Sequence, residues 1–130
     1  MASSTAPYTT DFANSKDTFQ AAHMSLFSGK PEDTETDLAK LCTPTFTIRA
    51  PDIALDFHGF VAHICRLRQI LPSVTLTITQ FLRDGTQLAE RHDSTTIHSD
   101  GSAREAETFL FAEIADDGRL AWIVENVRRC

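Results

Sequence analysis

From residue 57 onward the chain changes hydrophobic period once, and that change sets its architecture. In FHGFVAHICRLRQILP, Phe57, Phe60, Val61, Ile64, Leu67 and Leu71 recur at spacings of three and four until Pro72. That pattern predicts an amphipathic helix with a stripe to bury. SVTLTITQFL then alternates Val74, Leu76 and Ile78 with Thr75, Thr77 and Thr79, the period-two pattern of a half-buried strand. Asp-Gly follows at 84–85, 100–101 and 117–118, the dipeptide best suited to tight hairpin turns with positive φ. Between and around these turns lie SVTLTITQFL, LAERHDSTTI, REAETFLFAEI and RLAWIVENV. Together they predict a four-stranded antiparallel meander.

Upstream, SKDTFQAAHMSLFSG has a Ser or the preceding Asn available as N-cap, an apolar stripe of Phe19, Ala22, Leu26 and Phe27, and Gly29 to stop a first helix. PEDTETDLAKLC reads as a shorter second helix, with Pro31 and acids at its start and Leu38, Leu41 and Cys42 on the buried side. In TPTFTIRAP, Pro44 and Pro51 bracket one brief strand, Phe46 to Arg49. Residues 1–14 hold Ser, Thr, Pro and Ala with little to bury, so a disordered or loosely ordered tail is expected, followed by a single domain over 15–130. The fold class is α+β: a curved antiparallel sheet with three helices covering its concave face.

One strand resists this scheme. LAERHDSTTI places Ala89, Arg91, Asp93 and Thr95 on one face and Leu88, Glu90, His92 and Ser94 on the other, so both faces are charged where one should be apolar. Charge overall excludes some explanations. The 130 residues carry a net charge of −6 with Lys and Arg scattered, which leaves no footprint for a phosphate backbone, so no nucleic-acid partner is expected. No apolar run reaches the length of a membrane span and the first residues lack a leader pattern, so a cytoplasmic protein without a membrane partner is expected. Cys42, Cys65 and Cys130 are odd in number and lack C-x-x-C spacing, so reduced thiols with packing roles are expected.

The element order, with LCTPTFTIRAP, FHGFVAHI and DGRLAWIVENV at its junctions, resembles the nuclear transport factor 2-like superfamily over residues 15 to 128, in particular SnoaL-like polyketide cyclases and isomerases. The resemblance implies a cone-shaped sheet enclosing a pocket. AERHD resembles the E-R-x-D segment of limonene epoxide hydrolases, which implies that Arg91 bridges Asp93 and Glu125 inside that pocket. Thr47 and Arg49 stand where those hydrolases hold their water, and Ala50 stands where ketosteroid isomerases carry a general-base Asp, with the only Tyr, Tyr8, in the tail. Glu107 in AETFLF and Glu125 in IVEN resemble the paired acids of fungal SnoaL-like proteins.

The expected catalytic set is therefore Arg91, Asp93, Glu107 and Glu125. Crowded acids push one another's pKa values apart, giving one acid and one base, with an arginine to orient them. The same four residues would equally make a solvated cross-strand ion-pair ladder. Arg49, His58, His23, Phe109 and Trp122 are expected to contact substrate. His92 and His98 are expected to face outward, and Leu88 with His92 to offer a homodimer surface. No pair of histidines has convincing ligand spacing, so neither metal nor other cofactor is expected. The resemblance implies an enzyme that isomerises or cyclises a hydrophobic secondary-metabolite intermediate; the alternatives are an epoxide hydrolase or epoxide-opening cyclase, and a non-catalytic binding or dimerisation module.

Overall fold

Helix α1 (Lys16–Ser28) begins where its cap is supplied: the Ser15 hydroxyl accepts the backbone N–H of Thr18 at 3.3 Å, and Phe19 and Leu26 on its inner stripe are buried. Helix α3 (Phe57–Ile70) starts in the same way, with an Asp56 carboxylate oxygen accepting from Gly59 N at 2.8 Å. The computed structural model describes residues 9–130; Tyr8 and the earlier part of the expected tail lie outside the described residues.

Residues 9–14 are held more firmly than their composition suggests. Phe12 and Ala13 are buried, and Phe12 stacks on Phe19 with ring centroids 6.0 Å apart. The Thr10 N–H donates to Asp117 O at 2.9 Å, over Gly118, where a Cβ would meet Thr10 O at 1.8 Å. Arg83 adds hydrogen bonds to Ala13 O and Asn14 Oδ1, each 3.0 Å. One buried aromatic in a polar stretch is enough to dock it.

The second helical segment is a 3₁₀ turn at Pro31–Asp33 leading into helix α2 (Thr34–Ala39). Strand β1 (Cys42–Ala50) is longer than the prolines imply. Its parallel ladder with the last strand is interrupted between Cys42 and Thr47, the stretch that contains Pro44, which has no N–H to give. Strand β2 (Ile53–Asp56) returns alongside it. The meander follows as β3 (Ser73–Asp84), β4 (Gln87–Ile97), β5 (Ala103–Ile114) and β6 (Leu120–Arg129). All three Asp-Gly turns have glycine φ positive, at 58°, 85° and 91°.

The strands form one curved, open sheet in the order β2-β1-β6-β5-β4-β3. The β1–β6 pairing is parallel, so the sheet is mixed where an all-antiparallel one was expected. Its inner face packs Leu76, Ile78, Leu88, Leu110, Ala112 and Ile123 against α1 and α3. A bulge in β3 between Ile78 and Gln80 bends the edge toward α1, and the freed Ile78 N–H donates to Gln20 Oε1 at 2.8 Å. Among the described residues no helix is long and apolar enough to cross a membrane.

The helices are bolted together by a charged residue that sits on the buried stripe of α3, four residues after Ile64 and three before Leu71. The Arg68 guanidinium donates to Leu26 O (2.6 Å), Lys30 O (2.8 Å), Ser25 O (3.3 Å) and Thr34 Oγ1 (3.4 Å), and pairs with Asp37 at 3.0 Å. It thereby satisfies orphan carbonyls at the end of α1.

Candidate functional site

Between α1, α3 and the inner faces of β1 and β6 lies a cavity of about 140 Å³, walled by Phe19, Leu26, Phe27, Ile48, Phe60 and Ile123 among others. Four titratable side chains also line it: His23 from α1, Cys42 from β1, His63 from α3 and Glu125 from β6. Its volume is close to that of the ~150 Å³ engineered cavity that admits benzene, so it fits one ring-sized apolar fragment.

Strand parity decides which charges reach this space. On β4, Leu88, Glu90 and His92 are buried, at 1%, 5% and 4% exposure, while Arg91 and Asp93 leave from the other face. The register continues the inner row: Glu90 faces Leu110, which faces Glu125, and His92 faces Thr108. Glu90 and Glu125 therefore flank one leucine on the concave face. Both Glu90 carboxylate oxygens lie 2.9 Å from His92 Nδ1, the contact expected of an N–H shared by a carboxylate. His23 stands over the pair, its Nδ1 4.0 Å from Glu90 and its ring 5.0 Å from that of His92 in an edge-on arrangement.

A carboxylate with no exposed surface costs several kcal/mol unless it is paired and hydrogen-bonded. Glu90 meets that requirement through His92. The consequences appear on the cavity-lining groups. Burial holds the Glu125 carboxyl above its ordinary pKa, with a smaller push from Glu90 and an opposing pull from His92. Burial also depresses the His23 imidazole to about 3, helped by His92, so that it is neutral near pH 7. His63, at the rim, is lowered by desolvation alone.

The His23 shift implies a specific acid sensitivity. Below its unfolded pKa of 6.5 the unfolded chain takes up a proton at this position that the native chain refuses, and stability is lost down to about pH 3. Between pH 7 and pH 5 that loss amounts to about 2 kcal/mol. Urea unfolding of wild type and His23→Gln at both pH values tests this: the variant should lose about 2 kcal/mol less between them, and equal losses would refute it.

Several sequence expectations are overturned. Arg91, Asp93 and Glu107 do not enter the cavity. Glu107 leaves β5 on the outer face, where it pairs with Arg91 and with Arg128 at 2.7 Å, and these two guanidiniums cover it and lower its pKa. Of the four residues of the alternative ladder only Arg91 and Glu107 pair, with Arg128 as a third member, and the epoxide-hydrolase-like triad of Arg91, Asp93 and Glu125 is split across two faces. Phe109 lies exposed on the outer face, with Arg91 over its ring at 5.8 Å. Arg49 and Trp122 also sit outside, around a shallow hollow shared with Asp56. His58 is exposed at the start of α3, edge-on to Phe57. Leu88 and His92 are buried and offer no dimer surface; the outer face presents Phe109, Phe111, Trp122 and Val124 instead.

Of the nine residues singled out, Glu125 and His23 line the cavity. Glu90 and His92 were missed, although Leu88 shares their parity and is the one large aliphatic residue in the first half of that strand. The donor atoms of His23, Glu90 and His92 lie within 4.8 Å of one another. Ligand atoms around tetrahedral zinc sit about 3.3 Å apart, so the trio could hold an ion only after His23 closed in. Cys42 also lines the cavity, its thiol pushed up to about 12 by burial, so it stays a protonated wall residue.

No family model matches the chain, and no curated protein matches its sequence. Solved structures do match it closely in shape. A candidate isomerase of the SnoaL-like family from Agrobacterium tumefaciens superposes with a TM-score of 0.66 at 16% identity, covering 87% of this chain and 97% of its own. An NTF2-like protein of unknown function from Exiguobacterium sp. gives 0.67 at 13% identity, covering 83% and 96%. Wild-type IdmH from Streptomyces antibioticus, a candidate polyketide cyclase, gives 0.66 at 18% identity, covering 82% and 87%. The chain has the nuclear transport factor 2-like fold.

Proposed function

We propose that this chain is a small enzyme that moves protons on a hydrophobic substrate, isomerising or cyclising it without a cofactor. One observation carries the reading: a desolvated carboxyl, Glu125, faces an apolar cavity beside a neutral imidazole, His23, with the Glu90–His92 pair behind both. Two of the structural relatives are candidate isomerases or cyclases, which agrees with it.

The chemistry follows from the environments. A carboxylate stripped of water is a stronger base than one in solution, and its conjugate acid is available to return the proton at a second carbon. Glu125 takes the proton from a carbon next to a carbonyl. Neutral His23 offers an N–H to the carbonyl oxygen as negative charge develops there, without the ion pair a protonated imidazole would form with Glu125. His92, fixed by Glu90, packs edge-on against the His23 ring and limits its rotation. Apolar walls exclude the water that would quench the enolate.

The test needs no prior substrate. A panel of hydrophobic ketones, β-dicarbonyls and unsaturated ketones is incubated with the protein in D2O and analysed by mass spectrometry. Enzyme-dependent deuterium uptake next to the carbonyl, or a product of unchanged mass and altered retention, is expected for at least one member. Uptake that never exceeds the buffer rate, or that is equal with Glu125→Gln, would overturn the proposal.

A further inference from the structure

The concave face does not end at the cavity. Beyond α1 the inner surfaces of β4, β5 and β6 continue uncovered as a wide trough of about 770 Å³, lined by Ser94, Thr96, Thr108, His98, Arg104 and Arg129. Its character is the opposite of the cavity's, with hydroxyls and guanidiniums in place of phenyl rings. The two spaces share no lining residue but adjoin along the strands: Val127 in the trough is two residues from Glu125 in the cavity wall, and Thr108 faces the buried His92.

Two features distinguish the exposed Arg104 and Arg129 from the buried or paired arginines. First, the ladder brings them together. Arg104 pairs with Thr96, and Arg129 pairs with Ala106, two residues from Arg104 on the same face of β5. They are diagonal neighbours, about 7–8 Å apart at their origins. Secondly, neither makes an ion pair or side-chain hydrogen bond among the described residues, whereas Arg68, Arg83, Arg91, Arg119 and Arg128 all do. Glu105, the acid in the trough lining, alternates to the other face of β5. In a chain of net charge −6, two adjacent guanidiniums without acids stand out, and the guanidinium fork suits a carboxylate.

Resting on the acid–base reading above, we infer that the trough is a second subsite for the same substrate, holding a carboxylate at its far end on Arg104 and Arg129. The substrate is then an amphipathic acid. Its apolar ring fills the cavity, its reacting carbons lie at Glu125, and its carboxylate sits four strand residues away, about 13 Å along β6. The hydroxyls of Ser94, Thr96 and Thr108 serve oxygens between the two ends.

Binding alone tests this, using ω-phenylalkanoic acids of increasing chain length and their methyl esters, measured by calorimetry at low salt. Wild type should bind the acid of best-fitting length about tenfold more tightly than its ester, with the preference shrinking as salt is added. Arg104→Gln combined with Arg129→Gln should erase the preference while ester affinity and circular dichroism stay unchanged. Equal affinity for acid and ester in wild type, no binding of either, or a preference that survives the double substitution would each overturn the subsite. Inorganic phosphate competing as well as acetate would show a general anion site and overturn the carboxylate assignment. Because Glu125→Gln is expected to keep the acid preference, loss of turnover with the preference intact bears on the catalytic reading alone. Deuterium exchange without any acid preference removes the subsite alone.

Discussion

Glu125→Gln should lower kcat/KM for the deuterium exchange by roughly 10²–10⁴-fold, the usual contribution of a positioned acid or base. The amide is nearly isosteric and fills the same place beside Leu110, so fold and ester binding should persist. In wild type the acidic limb of the pH profile should lie above the ordinary glutamate range, because burial raises the Glu125 pKa. Activity as a base is absent while the group is protonated and appears as pH rises through that raised value; the limb should vanish with the substitution. Asp93→Asn and Glu107→Gln supply the contrast. Both side chains leave from the outer face, so their turnover should match wild type within about twofold. A profile in which Glu107→Gln is as damaging as Glu125→Gln would mean that the chemistry lies on the convex side, and the assignment of the cavity would fall.

The fold was largely legible because its signals are local. Ser15 and Asp56 cap the helices that the apolar spacing marks, and each Asp-Gly closes a hairpin with positive φ. Strand β1 was less so, since its pairing with β6 is parallel and links residues some 75 positions apart, as from Ile48 to Ile123, and no local pattern encodes that. The site was half legible for a different reason. A strand has two faces, and a one-residue error in parity exchanges them completely. On β4 both faces carry charge, and on β5 both carry apolar residues, Phe109 and Phe111 outside against Leu110 and Ala112 inside. Neither strand alone says which face is covered. Leu88, at the end where the helices pack, settles the parity, and with it Glu90 and His92 become the inner pair. Likeness to epoxide hydrolases pointed to Arg91, whose side chain the sheet turns outward to Glu107.

Arg68 shows how a charged residue on a helix's buried stripe can hold the helices over the cavity. Arg68→Met keeps most of the stem's volume but removes the donors, leaving Leu26 O without its partner, while Lys30 O keeps the Asp33 N–H and Ser25 O keeps the Ser28 hydroxyl. The stranded Leu26 carbonyl costs about 1–3 kcal/mol and the loss of the other guanidinium bonds adds to it, while Asp37, with 35% of its side chain exposed, recovers water at little cost. A net loss of about 3 kcal/mol, or roughly 10 °C in Tm for a chain of this size, is expected by scanning calorimetry. Gly29 provides the internal control. A Cβ there would come within 2.7 Å of three guanidinium atoms of Arg68, and those atoms cannot retreat without breaking their bonds. Gly29→Ala should therefore destabilise wild type by about 1 kcal/mol or more and have little effect, or a slightly stabilising one, in the Arg68→Met background, where nothing occupies that space. Additive costs in the double variant would show that the guanidinium is not clamped over Gly29, and would remove the reason for expecting the large loss.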